Sequence, residues 1–236
     1  MATPAPQVLY LDNHLLVLDK PWGMLTQPSG TGEASLEEWG KAYLKERFGK
    51  PGRVFLEAVH RIDRVVGGVV LFARTSKALS RLNECQRAHG FEKEYRALVW
   101  GTLKERALPG EGELRHWLLH GEHAARLASP GEADARECAL RYASEAILPG
   151  GTELLRVRLL TGRYHQIRAQ LAAAGLPLCG DGKYGAPEAS RQATPAAQEG
   201  IGLLSFSLSF PHPVTRQRLH VETRLSLLEG WGAPLA

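Results

Sequence analysis

Residues 59–73 read VHRIDRVVGGVVLFA, and their pattern decides the fold. The second half, 65–73, is apolar on both faces of an extended chain, as expected of a strand in the middle of a sheet. Residues 54–59 read as a strand leading into His60-Arg61-Ile62-Asp63. Working outward, VLYLD at 8–12 and LLVLD at 15–19 flank an Asn13-His14 turn, a hairpin closed by Lys20-Pro21. Ser35 and Glu38 form an S-x-x-E capping box, and Leu36, Trp39 and Tyr43 follow the helical period up to Phe48-Gly49. On the other side, Thr75 or Ser76 caps a second helix with an apolar stripe of Leu79, Leu82 and Cys85. Strand character resumes over 93–101, with Tyr95, Ala97 and Val99 on one face.

Further along, 114–119, 139–148 and 153–160 read as antiparallel strands joined by glycine-rich turns. Thr161-Gly162-Arg163 then precedes a helix over 164–174, stopped by Gly175. The Ala-, Pro- and Gln-rich stretch 186–200 reads as a mobile surface loop. Leu204, Phe206, Leu208 and Phe210 alternate with Ser205, Ser207 and Ser209, the pattern of a half-buried strand, and a last strand follows over 219–223. Strands and helices at irregular intervals with several hairpins predict an α+β fold, a mixed, largely antiparallel sheet with flanking helices, rather than a doubly wound parallel one. A single domain over 1–236, with a short N-terminal tail over 1–6, is expected.

The 236 residues are 44% hydrophobic, enough to bury a core and to exclude disorder. Lys and Arg number 29 against 25 Asp and Glu, a net of +4, and the sequence pI is near 9.0. This leans toward an anionic partner, with nucleic acid a candidate. The longest apolar runs fall far below the ~20 residues of a membrane-spanning helix. The first residues have neither the basic stretch nor the apolar core of a secretory signal, so a cytoplasmic location is expected. Cys85, Cys138 and Cys179 form no C-x-x-C pair and read as reduced packing residues. No dinucleotide-binding or phosphate-loop motif, H-E-x-x-H, G-x-S-x-G or EF-hand loop occurs, which points to chemistry without a cofactor or metal.

Three segments carry chemistry. Asp63 lies between Arg61 and Arg64, and a carboxylate beside guanidinium groups has its ionised form favoured. It reads either as a nucleophile or as one member of a structural ion pair. In LLTGRYHQIRAQLAAAG (159–175), His165 and Arg168 share a helix face with Arg163 just ahead of them. That face suits gripping a phosphate or pinning a carboxylate, and equally suits simple solvation. His165 has no partner at metal-ligand spacing. Tyr95 is either a base-stacking, proton-moving group or core.

In this order, these segments resemble the RluA-type family of RNA pseudouridine synthases over nearly the whole chain. LLVLDKPWGMLTQPSG (15–30) is similar to the family's first motif, and His60–Asp63 to its catalytic H-R-[LI]-D. Residues 93–99 match K-x-Y-x-A-x-V, 162–168 match G-R-x-H-Q-I-R, 180–185 match G-D-x-x-Y-G, and LSFPHPVT is similar to the ending L-x-F-x-H-P-x-T. The resemblance implies the pseudouridine synthase fold with a central active-site cleft and the isomerisation of specific uridines in ribosomal or transfer RNA. It implies Asp63 as the catalytic carboxylate, without choosing between attack on the ribose, attack on the uracil and removal of a sugar proton. It further implies that Arg168 pairs with Asp63 and that Tyr95 stacks on the uracil. Arg61 would fill the space left by the extruded base, and Arg64, Arg163 and His165 would contact the RNA.

The implied partner is a structured RNA stem-loop bound by a monomer, with no cofactor, metal or membrane. With about ten residues ahead of the first strand, the chain resembles the compact subset that lacks an S4-like RNA-binding module. Two departures stand out: Val66-Gly67-Gly68 replaces the usual Thr-Ser-Gly, and Ala169-Gln170 replaces Val-His. The alternative is a noncatalytic RNA-binding protein on the same fold. An aspartate-dependent glycosidase would need a second carboxylate, and no motif supplies one.

Overall fold

The computed structural model describes residues 5–30, 32–191 and 195–231. The elements run β1 (Gln7–Leu11), β2 (Leu15–Lys20), α1 (Leu36–Arg47), β3 (Glu57–Ala58), β4 (Gly67–Ala73), α2 (Ser76–Arg87), β5 (Glu92–Trp100), β6 (Glu111–His120) and β7 (Ala125–Ala128). They continue with β8 (Arg136–Leu148), β9 (Thr152–Leu159), α3 (Gln166–Ala173), α4 (Pro195–Glu199), β10 (Leu203–Pro211), β11 (Arg218–Glu222) and α5 (Leu227–Gly230). The fold is α+β, and the pairs β1/β2, β2/β4, β3/β4, β6/β7, β6/β8, β8/β9 and β10/β11 are all antiparallel. Contacts group the chain into two compact units, Met1–Lys93 with Ser205–Ser226 and Glu94–Leu204 with Leu227–Ala236. Among the described residues, no helix is long and apolar enough to cross a membrane.

In the first unit β2 and β4 are buried along their whole length, β4 as an apolar run and β2 including its charged Asp19 and Lys20. Leu15, Val17, Val69 and Leu71 form a cluster with Ala78 and Leu82 of α2 and with Leu208 and Phe210 of β10. The predicted capping box is present: Ser35 Oγ accepts from Glu38 N, and Glu38 reaches back to Ser35 N. Leu36, Gly40 and Leu44 are the inward positions of α1, whereas Trp39 and Tyr43 stack on each other at 5.5 Å, half-buried. Thr75 caps α2 through its side chain.

Several sequence expectations are corrected. The strand expected over 54–59 shrinks to β3, and its pairing stops after Ala58 because the Leu71 amide opposite Val59 is taken by His60 Nε2 at 3.2 Å. Strand β10 is buried on both faces rather than one. Its serines find internal partners, Ser205 Oγ donating to Val69 O and Ser209 Oγ bonding His220 Nδ1 at 2.7 Å, so polar alternation here does not mark a wet face. Strand β7, four residues among charged turns, has no periodic signal in the sequence. The stretch read as a mobile loop holds a 3-10 turn, Glu188–Ser190, and α4, with Ser190 and Ala197 buried; its residues 192–194, like residues 1–4 of the expected tail, lie outside the described residues.

Gly68 fixes how closely β4 and β10 approach. Its φ is +110°, and a Cβ there would sit 2.2 Å from Ser205 O. Gly68→Ala is therefore expected to destabilise the protein by about 2 kcal/mol or more, read as a lower midpoint in urea unfolding.

Candidate active site

The sequence-predicted site residues form two groups, one in each unit. In the first unit Lys20 ends β2 with its side chain fully buried. Its ammonium donates to Met24 O at 2.7 Å and to Pro21 O and Arg64 O at 3.1 Å, which uses all three N–H groups. Thr26 Oγ1 donates to Ile62 O at 2.8 Å, Gly23 N donates to Arg64 O at 3.0 Å, and Arg64 Nε returns a bond to Gly23 O at 2.9 Å. Both neighbours of Asp63 are thereby held by the loop that follows β2. Asp63 O closes a turn by accepting from Val66 N at 3.0 Å, while the residue as a whole stays half-buried. Burial pulls the Lys20 pKa down to about 7, and the Asp63 carboxylate opposes that fall. His60 is neutral, since its Nε2 accepts from Leu71 N; burial, with the Lys93 charge adding, holds its pKa well below the usual value.

Arg61 and Arg64 flank Asp63 with exposed side chains, Arg64 also lying 3.5 Å from Glu33. The Gly67 departure has a packing reason. A Cβ at that position would fall 2.9 Å from the Trp22 indole, which occupies the space a serine there would need.

In the second unit Arg168 is buried and bidentate on Asp181, Nε to Oδ2 at 2.7 Å and Nη2 to Oδ1 at 2.8 Å. Arg168 Nη1 lies 3.0 Å from His165 Nε2, and the guanidinium stands 4.9 Å over the Tyr184 ring. Because an arginine N–H only donates, His165 Nε2 must accept, so the imidazole is neutral. His165 Nδ1 in turn meets Tyr184 Oη at 2.9 Å. Tyr184 Oη also accepts from Ala125 N at 2.8 Å, tying the set to β7.

His165 sits in the left-handed region at φ +52°, so α3 begins at Gln166 and not at Tyr164 as the spacing predicts. Such backbone costs about 1 kcal/mol. It is held by stacking on Tyr164 at 3.8 Å and by Gln166 Oε1, which accepts from Arg163 N at 2.9 Å. Arg163 is exposed just ahead of this turn. The other departure, Gln170, is fully buried and uses Nε2 to bridge Leu114 O and His116 Nδ1. Tyr95 is buried in β5 with Ala97 and Val99.

The family model of RNA pseudouridylate synthases matches residues 14–173, a span that includes Asp63, Tyr95 and Arg168. The chain belongs to the RNA pseudouridine synthase family. It is 33% identical over 225 residues to the ribosomal large subunit pseudouridine synthase C of Escherichia coli K12, covering 94% of this chain and 67% of that protein. The same-named protein of Pasteurella multocida is 33% identical over 93% of this chain and 64% of its own. Among solved structures, human RNA pseudouridylate synthase domain containing 4 shares the fold with a TM-score of 0.74 at 17% identity, covering 97% of this chain and 94% of that one.

Within this isomerase the sequence reading named the two arginines beside Asp63 but assigned nothing to Lys20, Asp181 or Tyr184. Each had a local sign: a lysine closing a strand that opens with four apolar residues, and a lone acid and a tyrosine in the glycine-rich stretch CGDGKYG. Lys20→Met leaves buried carbonyls without a donor and is expected to cost about 2 kcal/mol or more by urea unfolding. The unfolded lysine titrates near 10.5 and the folded one near 7, so the unfolded chain binds the extra proton between them. Wild-type stability should then gain from this group as pH rises across that window, a gain absent in Lys20→Met. Asp181→Ala removes both bonds that Asp181 accepts from the buried Arg168 and should lower stability by about 3 kcal/mol in the same assay.

Proposed function

We propose that this enzyme isomerises uridine in large-subunit ribosomal RNA in the cytoplasm, with Asp63 as the catalytic carboxylate. The observation that carries the assignment is the mounting of Asp63: the backbone on both sides is fixed through Lys20 and Thr26, yet the residue is only half-buried. A reacting group needs that combination of a rigid backbone and partial access to solvent. The choice of RNA rests on the relatives, whose names place their activity on the large ribosomal subunit.

The reaction breaks the bond from N1 to C1′, joins C5 to C1′, removes the proton from C5 and adds one to N1, with no redox change. In this reading Asp63 engages the ribose or the uracil, Tyr95 stacks on the base and assists the C5 proton, and Arg168 favours the ionised carboxylate. Arg61 takes the place of the extruded base, whose unstacking costs about a few kcal/mol. Arg64, Arg163 and His165 contact the RNA around it, so binding weakens with salt.

The test uses an RNA transcript carrying C5-tritiated uridine. Wild-type protein should release tritium, and Asp63→Asn should lower release by about a thousandfold or more while RNA affinity changes little. Near-normal turnover by that variant would sink the assignment. A wild-type protein that binds without releasing tritium would instead be the noncatalytic binder.

A further inference from the structure

Residues 41–53, KAYLKERFGKPGR, hold five basic side chains and one acidic one, a net of +4 that equals the formal charge of the whole chain. All nine residues from Lys45 to Arg53 are exposed. Lys41 is neutralised by Glu37 at 2.7 Å, but among the described residues Lys45, Arg47, Lys50 and Arg53 have no acidic partner within ion-pair distance. Arginines of the second unit behave differently: Arg96 pairs with Glu145, Arg115 and Arg141 with Glu113, and Arg126 with Glu132. Basic residues in the last turn of α1 complement the helix dipole, which accounts for Lys45 and Arg47. It leaves Lys50 and Arg53 unexplained, since they lie beyond the helix.

The shape fits the charge. A groove runs between Lys41, Ala42 and Lys45 of α1 and the returning segment Pro51-Gly52-Arg53-Val54, with cations on both walls. Two phenylalanines border this run with large exposures, Phe48 at 47% and Phe55 at 40%, and Arg74 stands 4.9 Å over the Phe48 ring. Unneutralised cations beside exposed aromatic rings are what a single-stranded or looped RNA backbone takes.

We propose that the end of α1 and residues 45–55 form a second RNA contact that grips phosphates of the substrate at a distance from the reacting uridine. The proposal rests on the RNA substrate argued above and adds the surface that holds it. The N-terminus of α1 is hydrogen-bonded to the loop that pins Asp63, through Leu36 N to Leu25 O and Glu37 N to Thr26 O. Twelve residues carry its basic end about 18 Å away, roughly five nucleotide steps along a duplex. This surface therefore sets affinity and leaves the chemical step alone.

The test compares the full chain with two charge-matched variants, Lys45→Gln/Lys50→Gln/Arg53→Gln and Arg141→Gln/Arg156→Gln/Arg158→Gln. The probe is an unmodified transcript of large-subunit ribosomal RNA, with Kd measured against salt and tritium release measured at saturating RNA. The first variant should weaken binding about tenfold or more at 0.15 M salt and flatten the log–log salt slope by about two. Its kcat should stay within about twofold, and the second variant should bind more tightly than the first. An unchanged slope in the first variant, or equal weakening in both, overturns the proposal. Failure of the Asp63 assignment would show in turnover and not in these slopes, so the two readings fall separately.

Discussion

A buried ammonium holds the Asp63 segment of the first unit in place. Lys20 spends its three hydrogens on three backbone carbonyls from two segments that are remote in sequence, and one of those carbonyls belongs to the residue after Asp63. A charge without solvent is costly unless every donor is satisfied, and the attraction of Asp63 offsets part of that cost. Removing the ammonium takes away one tether of the 62–64 backbone and two within the loop ahead of α1. Thr26 and Gly23 reinforce the same junction, so the backbone on both sides of Asp63 is held by several independent bonds.

The second unit is organised around a buried arginine. Asp181 takes two of the Arg168 nitrogens, His165 accepts from the third, and Tyr184 covers the guanidinium face while bonding β7. The strain at His165 is the cost of aiming its ring back at the helix it precedes. Both departures from the family pattern are absorbed by packing. Trp22 lies over Gly67, and Gln170 bridges a carbonyl and a histidine.

Much of this was legible from residues 59–73 and their neighbours. The hairpin, both helix caps, the central strand and the antiparallel meander follow from apolar period and local capping, which act over a few residues. The ordered motifs located Asp63, Tyr95 and Arg168. What misled was polarity read as exposure: the serines of β10 are buried because their hydroxyls have internal partners, and His60 ends a strand pairing by bonding a backbone amide itself.

By itself the sequence determined the α+β class, the family, the catalytic candidates and the net positive charge, because each depends on residue type and short spacing. Only the tertiary structure decided that Lys20 tethers the Asp63 loop, that Asp181 and Tyr184 fix Arg168, and that among the described residues the basic side chains of 45–53 have no acidic partner. These depend on which distant groups meet, and hydrogen bonds and ion pairs between residues tens of positions apart leave no periodic trace in a single chain.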